Sequence, residues 1–138
     1  MHSAEHILNQ TMDRMFGCGR CVAAHIEKKK SKCDYRLEKP LSEEDTRSIE
    51  ALVNEIILKD LEVRERFLNR EDCEGVFDLG KLPPEAGGEI RIVEIGDYDT
   101  CPCIGPHVRS TGEIGLFRIT SCDFLDNTVR IRFKLKKG

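Results

Sequence analysis

The sequence predicts an α+β domain of two layers, with helices packed on one face of a largely antiparallel sheet. Three observations predict it. Apolar residues recur at helical spacing in two stretches, apolar and polar residues alternate in several others, and the order runs helix, strands, helix, then mostly strands. No internal repeat or linker divides the chain, so residues 1–138 read as one domain.

The first helix is expected over residues 3 to about 16, where Ala4, Ile7, Leu8, Met12 and Met15 or Phe16 fall on one stripe and Gly17 supplies the stop. Residues 20–27 and 32–38 read as two strands around the polar turn Lys28-Lys29-Lys30-Ser31, with Pro40 closing the pair. Ser42, followed by Glu44 and Asp45, marks a second helix start. Its stripe is Ile49, Leu52, Val53, Ile56 and Ile57, running to about Lys59. Residues 61–68 look extended, and 70–88, broken by Pro83-Pro84 and Gly87-Gly88, read as loop. Alternation over 90–95 gives a strand. Two more are expected at about 114–122 and 128–136, joined by a hairpin turn at Asp126-Asn127.

A hydrophobic content of 39% suffices for a core, and the 34% of charged residues are spread along the chain, as in a soluble globular protein. No window approaches the roughly 18 to 20 apolar residues of a membrane span. The N-terminus lacks a basic segment followed by an apolar run, so a cytoplasmic location without a membrane partner is expected. A net charge of −3 argues against strong non-specific nucleic-acid binding, and any RNA contact must come from a local basic face. Seven cysteines, an odd count, exclude a fully paired disulfide framework. Cys18, Cys33, Cys73 and Cys122 read as small apolar filler.

His2 and His6, four residues apart, share a helix face and can reach one metal ion. Cys103 and His107 repeat that spacing far downstream. Three nitrogens and one sulfur suit a single tetrahedral zinc ion better than calcium or magnesium. Two rival readings use the same residues. His2-Ser3-Ala4-Glu5-His6 also fits the H-x-x-E-H pattern of a metalloprotease, with Glu5 as base and Glu50 or Glu55 as third ligand. Cys18 and Cys21 with Cys101 and Cys103 could instead form a structural four-sulfur site.

The runs His2-Ser-Ala-Glu-His6-Ile-Leu, Cys103-Ile-Gly-Pro-His107-Val and Ser110-Thr111-Gly112-Glu113-Ile114-Gly115-Leu116-Phe117 resemble the editing domains of alanyl-tRNA synthetases and their free-standing relatives, the AlaX proteins. Residues 50–57 and 93–97 resemble the same family in the same order, so the similarity covers about residues 2–134. The resemblance implies the threonyl/alanyl-tRNA synthetase editing-domain fold. It implies hydrolysis in trans of mischarged tRNA, Ser-tRNA(Ala) first and Gly-tRNA(Ala) second, with tRNA(Ala) as partner. It also implies the short class of such proteins, with no aminoacylation domain. The family usually writes Cys-Gly-Gly-Thr-His where this chain has Cys103-Ile104-Gly105-Pro106-His107. Pro106 removes a hydroxyl and a backbone N–H, and Ile104 adds bulk, changes that bear on substrate choice more than on metal binding.

In this reading zinc polarises the ester carbonyl or activates a water held at the same four ligands. Rejecting serine needs a site built around its hydroxyl, because alanine then leaves polar groups unpaired. Ser3 is the candidate for that contact, with a helix cap as its structural alternative, and Gly105 could present its backbone to the substrate. Arg130, Arg132, Lys134 and Lys136 alternate with apolar residues on the last strand, so period two puts all four on one face, where they could track tRNA phosphates or be simply solvated. The alternative from another class is a non-catalytic zinc-stabilised RNA-binding module related to editing domains; the metalloprotease stands third.

Overall fold

The structure is a computed structural model and describes residues 1–28, 30–69, 89–103 and 107–136. Helix α1 (His2–Phe16) carries Ala4, Ile7, Leu8 and Met12 on its inner face, each fully buried, and ends at Gly17 in the left-handed conformation (φ 65°). Helix α2 (Glu43–Leu58) begins with a capping box. The Ser42 hydroxyl accepts from the Asp45 N–H at 3.0 Å, and the Asp45 carboxylate accepts from the Ser42 N–H at 3.1 Å. Its buried stripe is Ile49, Val53, Ile56 and Ile57.

Among the described residues seven strands pair antiparallel as expected, yet they form two sheets rather than one. The first holds β1 (Ala23–Ile26), β2 (Lys30–Arg36), β7 (Thr128–Lys136) and β6 (Leu116–Leu125) in the order β1-β2-β7-β6. The second holds β3 (Val63–Asn69), β4 (Glu89–Ile95) and β5 (Asp99–Pro102). The α+β class stands. Both helices pack on one face of the four-stranded sheet, against Cys33, Tyr35, Phe117, Val129, Ile131 and Phe133. Asp126 and Asn127 both take positive φ (52° and 55°), the geometry of a tight hairpin whose twist matches its strands.

The edge strand β6 is held by polar groups of α2. The Asn54 amide donates to the Phe117 carbonyl at 2.9 Å and accepts from its N–H at 2.8 Å, while Glu50 accepts from the Ile119 N–H at 2.8 Å. These bonds satisfy backbone groups that an edge strand otherwise leaves open. The first hairpin is tighter than expected, because Lys30 and Ser31 already belong to β2. The Ser31 hydroxyl accepts from the Glu27 N–H at 3.0 Å and donates to the Glu27 carbonyl at 3.3 Å, closing the turn. The loop expected over 70–88 lies outside the described residues. Among the described residues no helix is long and apolar enough to cross a membrane.

Candidate metal centre

The start of α1 and the segment around residue 107 meet in space. His6, Cys103 and His107 each offer a ligand atom, and these atoms lie within 4.8 Å of one another. Among the described residues this is the only group of three or more potential ligands so gathered. The His6 and His107 rings meet edge to face, with centroids 4.6 Å apart and planes at 74°. The His2 ring stands next in line, 6.1 Å from that of His107, with its Nδ1 3.8 Å from Glu5 Oε2. It is therefore a neighbour of the converging three and lies outside the group; its side chain is 31% exposed at the first residue of the helix.

The donor chemistry fits a metal ion. Among the described residues, His107 Nε2 and His6 Nδ1 are buried without a hydrogen-bond partner, and His107 Nδ1 is 2.8 Å from Ser3 Oγ. Ser3 Oγ also accepts from the Val108 N–H at 3.3 Å. With Nδ1–H donating to Ser3, the free lone pair sits on Nε2, the orphaned atom. A buried nitrogen left without a partner costs free energy that a ligated cation would recover. Burial first, then the positive charges of His6 and Arg91, pushes the His107 pKa down to about 3, so the ring is neutral and able to ligate. Cys103 adds the softer donor that favours zinc in such a set.

His6 is held from behind by a carboxylate. Its Nδ1 lies 3.5 Å from Asp99 Oδ2, and both side chains are almost fully buried. Burial opposes charge on the ring, but attraction from Asp99 and Cys103 more than offsets it and raises the pKa to about 9. The pocket thus favours positive charge at this point. Asp99 is shared. Arg20 donates to its two oxygens at 2.9 and 3.1 Å, and Gln10 donates at 3.4 Å. Burial alone would raise the Asp99 pKa; the His6 ring close by and the bonds from Arg20 lower it overall, so the carboxylate stays ionised. A carboxylate behind a ligating histidine is a common outer-shell device that fixes ring orientation and raises ligand basicity.

Residues 90–132 match the family model described as the threonyl and alanyl tRNA synthetase second additional domain. The chain is 37% identical over 136 residues to an alanine–tRNA ligase of Methanopyrus kandleri, an alignment covering 96% of this chain and 15% of the relative. It is 34% identical over 142 residues to the enzyme of Archaeoglobus fulgidus (99% and 15%) and 34% identical over 122 residues to that of Coxiella burnetii (87% and 14%). The chain is similar over nearly its whole length to a segment of alanine–tRNA ligases, and over residues 90–132 to the second additional domain, consistent with an alanyl-tRNA synthetase editing-like domain. It spans about 15% of the length of these relatives.

Within this alanyl-tRNA synthetase-type domain, the run Ser110–Glu113 is a scaffold for the centre. It forms a 3-10 turn over Thr111–Ile114, where the sequence pattern predicts a strand starting at about 114. The buried Thr111 hydroxyl lies 3.0 and 3.1 Å from the Ile56 and Ile57 carbonyls and accepts from the Leu61 N–H at 2.8 Å. Glu113 accepts from the Arg109 and Ser110 N–H groups, both at 2.9 Å. Gly112 makes a close approach: its N–H donates to Asp60 at 3.0 Å, and a Cβ there would stand 2.5 Å from the same oxygen, so that carboxylate would have to turn aside. These bonds fasten the end of α2 to the segment that presents His107.

The other expected site residues fall as follows. Ser3, expected to touch the substrate, is fully buried and spends its hydroxyl on His107 and Val108; what it supplies is the orientation of the ring. No side-chain cap starts α1, so the capping alternative for Ser3 is also unfilled. Gly105, with Ile104 and Pro106, lies outside the described residues. Arg130, Arg132, Lys134 and Lys136 do share the outer face of β7, but Arg130 is paired with Asp34 and Arg132 with Asp123. The metalloprotease reading loses its third ligand, since Glu50 is bonded to β6 and Glu55 pairs with Lys59 at 3.9 Å. The four-sulfur site is not assembled among the described residues, where burial instead holds the Cys101 thiol up at about 12.

Asp99 and Arg20 were missed by sequence reasoning. The one signal available was the position of Asp99 four residues before Cys103. Beside His107 opens a cleft of about 280 Å³ lined by residues including Val63, Arg64, Glu65, Arg91 and Arg109. A larger cleft, about 740 Å³, lies at the other end of α1 near Phe16 and Leu41, away from the converging ligands.

Proposed function

We propose that the chain is a zinc-dependent aminoacyl-tRNA deacylase that hydrolyses in trans the ester of mischarged tRNA, Ser-tRNA(Ala) first and Gly-tRNA(Ala) second. The observation that carries this reading is the gathering of His6, Cys103 and His107 in a domain of the alanyl-tRNA synthetase type. These three would hold the ion, with His2 as the fourth ligand.

Bound zinc would supply a Lewis acid for the ester carbonyl and a lowered pKa for water beside it. The protein's own residues do the positioning. Ser3 fixes the His107 ring, and Asp99 fixes His6 from behind. The adjoining cleft offers room for the esterified end of the tRNA, and of its three arginines Arg64 and Arg91 are paired with Glu62 and Glu65, which leaves Arg109 as the cation suited to a ribose-phosphate end. Because the Ser3 hydroxyl is engaged, discrimination against alanine falls to other polar groups of this cleft.

The test is deacylation of Ser-, Gly-, Thr- and Ala-tRNA by purified protein, with His6→Ala as control. The reading expects serine to be released fastest, alanine to be spared, and His6→Ala to fall to the uncatalysed rate. Equal rates for protein and control on every substrate would defeat it.

A further inference from the structure

On the outer face of the four-stranded sheet, like charges stand side by side. The register places Lys30 opposite Lys134, and Lys134 opposite Arg118, so three cations cross three strands in one row. The next row sets Lys32 opposite Arg132, and Lys136 extends the patch beyond the first. Of the carboxylates of this face, Asp34 and Asp123 sit one row further on, opposite Arg130, and Glu27, 3.6 Å from His25, stands at the hairpin edge. Among the described residues no carboxylate pairs with Lys30, Lys32, Arg118, Lys134 or Lys136.

Like charges directly opposite destabilise a sheet, and a merely solvated face would be expected to interleave signs. This one segregates them in a chain of net charge −3. The helices cover the opposite face, so these side chains stand clear of the core. We propose that this face docks the phosphate backbone of a tRNA stem. The proposal rests on the tRNA-directed function above. Among the described residues no Phe, Tyr or Trp projects from the patch, and its one ring, His25 at the edge opposite Lys32, is too little to make the row of stacking aromatics that reads single-stranded bases. A flat row of cations at the two-residue repeat of about 6.7 Å along each strand suits sequence-independent contact with a duplex backbone. Arg130, tied to Asp34 at 2.8 and 3.1 Å, and Arg132, paired with Asp123, are left out of the docking set.

Lys134→Glu tests this. The new carboxylate would lie between Lys30 and Arg118, so the fold should melt no lower than wild type. Binding of uncharged tRNA is read by fluorescence anisotropy across a salt series. The dissociation constant should rise about tenfold or more, and the salt slope should drop by about 0.9 for each phosphate that the variant no longer neutralises. Lys39→Glu, the same charge change on the loop before α2, should leave binding at the wild-type value. An unchanged dissociation constant and slope for Lys134→Glu overturn the docking face, even if wild type hydrolyses seryl-tRNA. Preference for polyglutamate over tRNA overturns it too. Wild type that binds tRNA through Lys134 but cleaves no ester leaves the face standing and removes the deacylase reading. Failure of wild type to bind tRNA at all removes both.

Discussion

Replacing Asp99 by Asn separates the role of this residue at the metal centre from its role in the fold. The substitution keeps shape and removes charge. Asp99 is 1% exposed in its side chain, accepts two bonds from Arg20 and lies 3.5 Å from His6 Nδ1. Loss of a carboxylate behind a ligating histidine typically weakens metal affinity 10- to 100-fold, which is about 1.4 to 2.8 kcal/mol. Fold stability falls as well. Removing one partner of a fully buried ion pair costs about 3–5 kcal/mol, but Arg20 is 31% exposed and retains some water, so roughly 2–3 kcal/mol is expected. Arg20→Gln provides the contrast, because it breaks the same ion pair and leaves the carboxylate beside His6. Thermal melting should show similar losses for both variants. Zinc affinity, measured by competition with a chromophoric chelator, should drop tenfold or more only in Asp99→Asn. If both variants lose affinity equally, or Asp99→Asn keeps it, Asp99 does not position the ligand.

Other perturbations follow the same reasoning. Ser3→Ala removes the hydroxyl that holds His107 Nδ1 and leaves the Val108 N–H unpaired; a loss of about 1–3 kcal/mol of stability is expected, with weaker zinc binding by the same chelator assay. Gly112→Ala forces Asp60 aside and breaks its bond to the backbone, so melting should fall by several degrees, roughly 1–2 kcal/mol, with the sheet otherwise intact by circular dichroism. The pH dependence of metal-free protein has a definite sign. His6, raised from 6.5 to about 9, binds more protons folded than unfolded, so its stabilisation is complete below pH 6.5 and lost as pH rises towards 9. His107, lowered to about 3, and Asp99, also lowered, both cost stability as pH falls, His107 from 6.5 downward and Asp99 below about 4. Denaturant unfolding across pH should therefore peak near 6.5, and a curve still rising from pH 7 to 9 would count against the His6 environment.

Local pattern carried much of the fold. Both helices follow from apolar spacing that each segment contains within itself, and Ser42 and Gly17 mark ends whose capping is local chemistry. The Asp126-Asn127 turn was readable because few residues tolerate positive φ. Strand β5 was not readable. Asp99-Thr100-Cys101-Pro102 has no apolar alternation and is a strand only because β4 pairs with it. The split into two sheets likewise depends on which distant strands meet, and no short window encodes that. At the candidate site, the two pairs spaced by four, His2/His6 and Cys103/His107, contain the three residues that the structure gathers. The spacing could not show that Ser3 turns inward, since burial of a small polar residue depends on what packs above it. Nor could it show that Asp99, an acid in a polar stretch, is drawn inside by Arg20 and His6.

Zinc K-edge absorption on the purified, zinc-loaded protein tests the metal centre most directly. One ion per chain should show a single sulfur at about 2.3 Å with nitrogen neighbours at about 2.0–2.1 Å, and the sulfur shell should vanish in Cys103→Ser. A protein that takes up no zinc, or a zinc shell of several sulfurs that survives that substitution, would contradict the account.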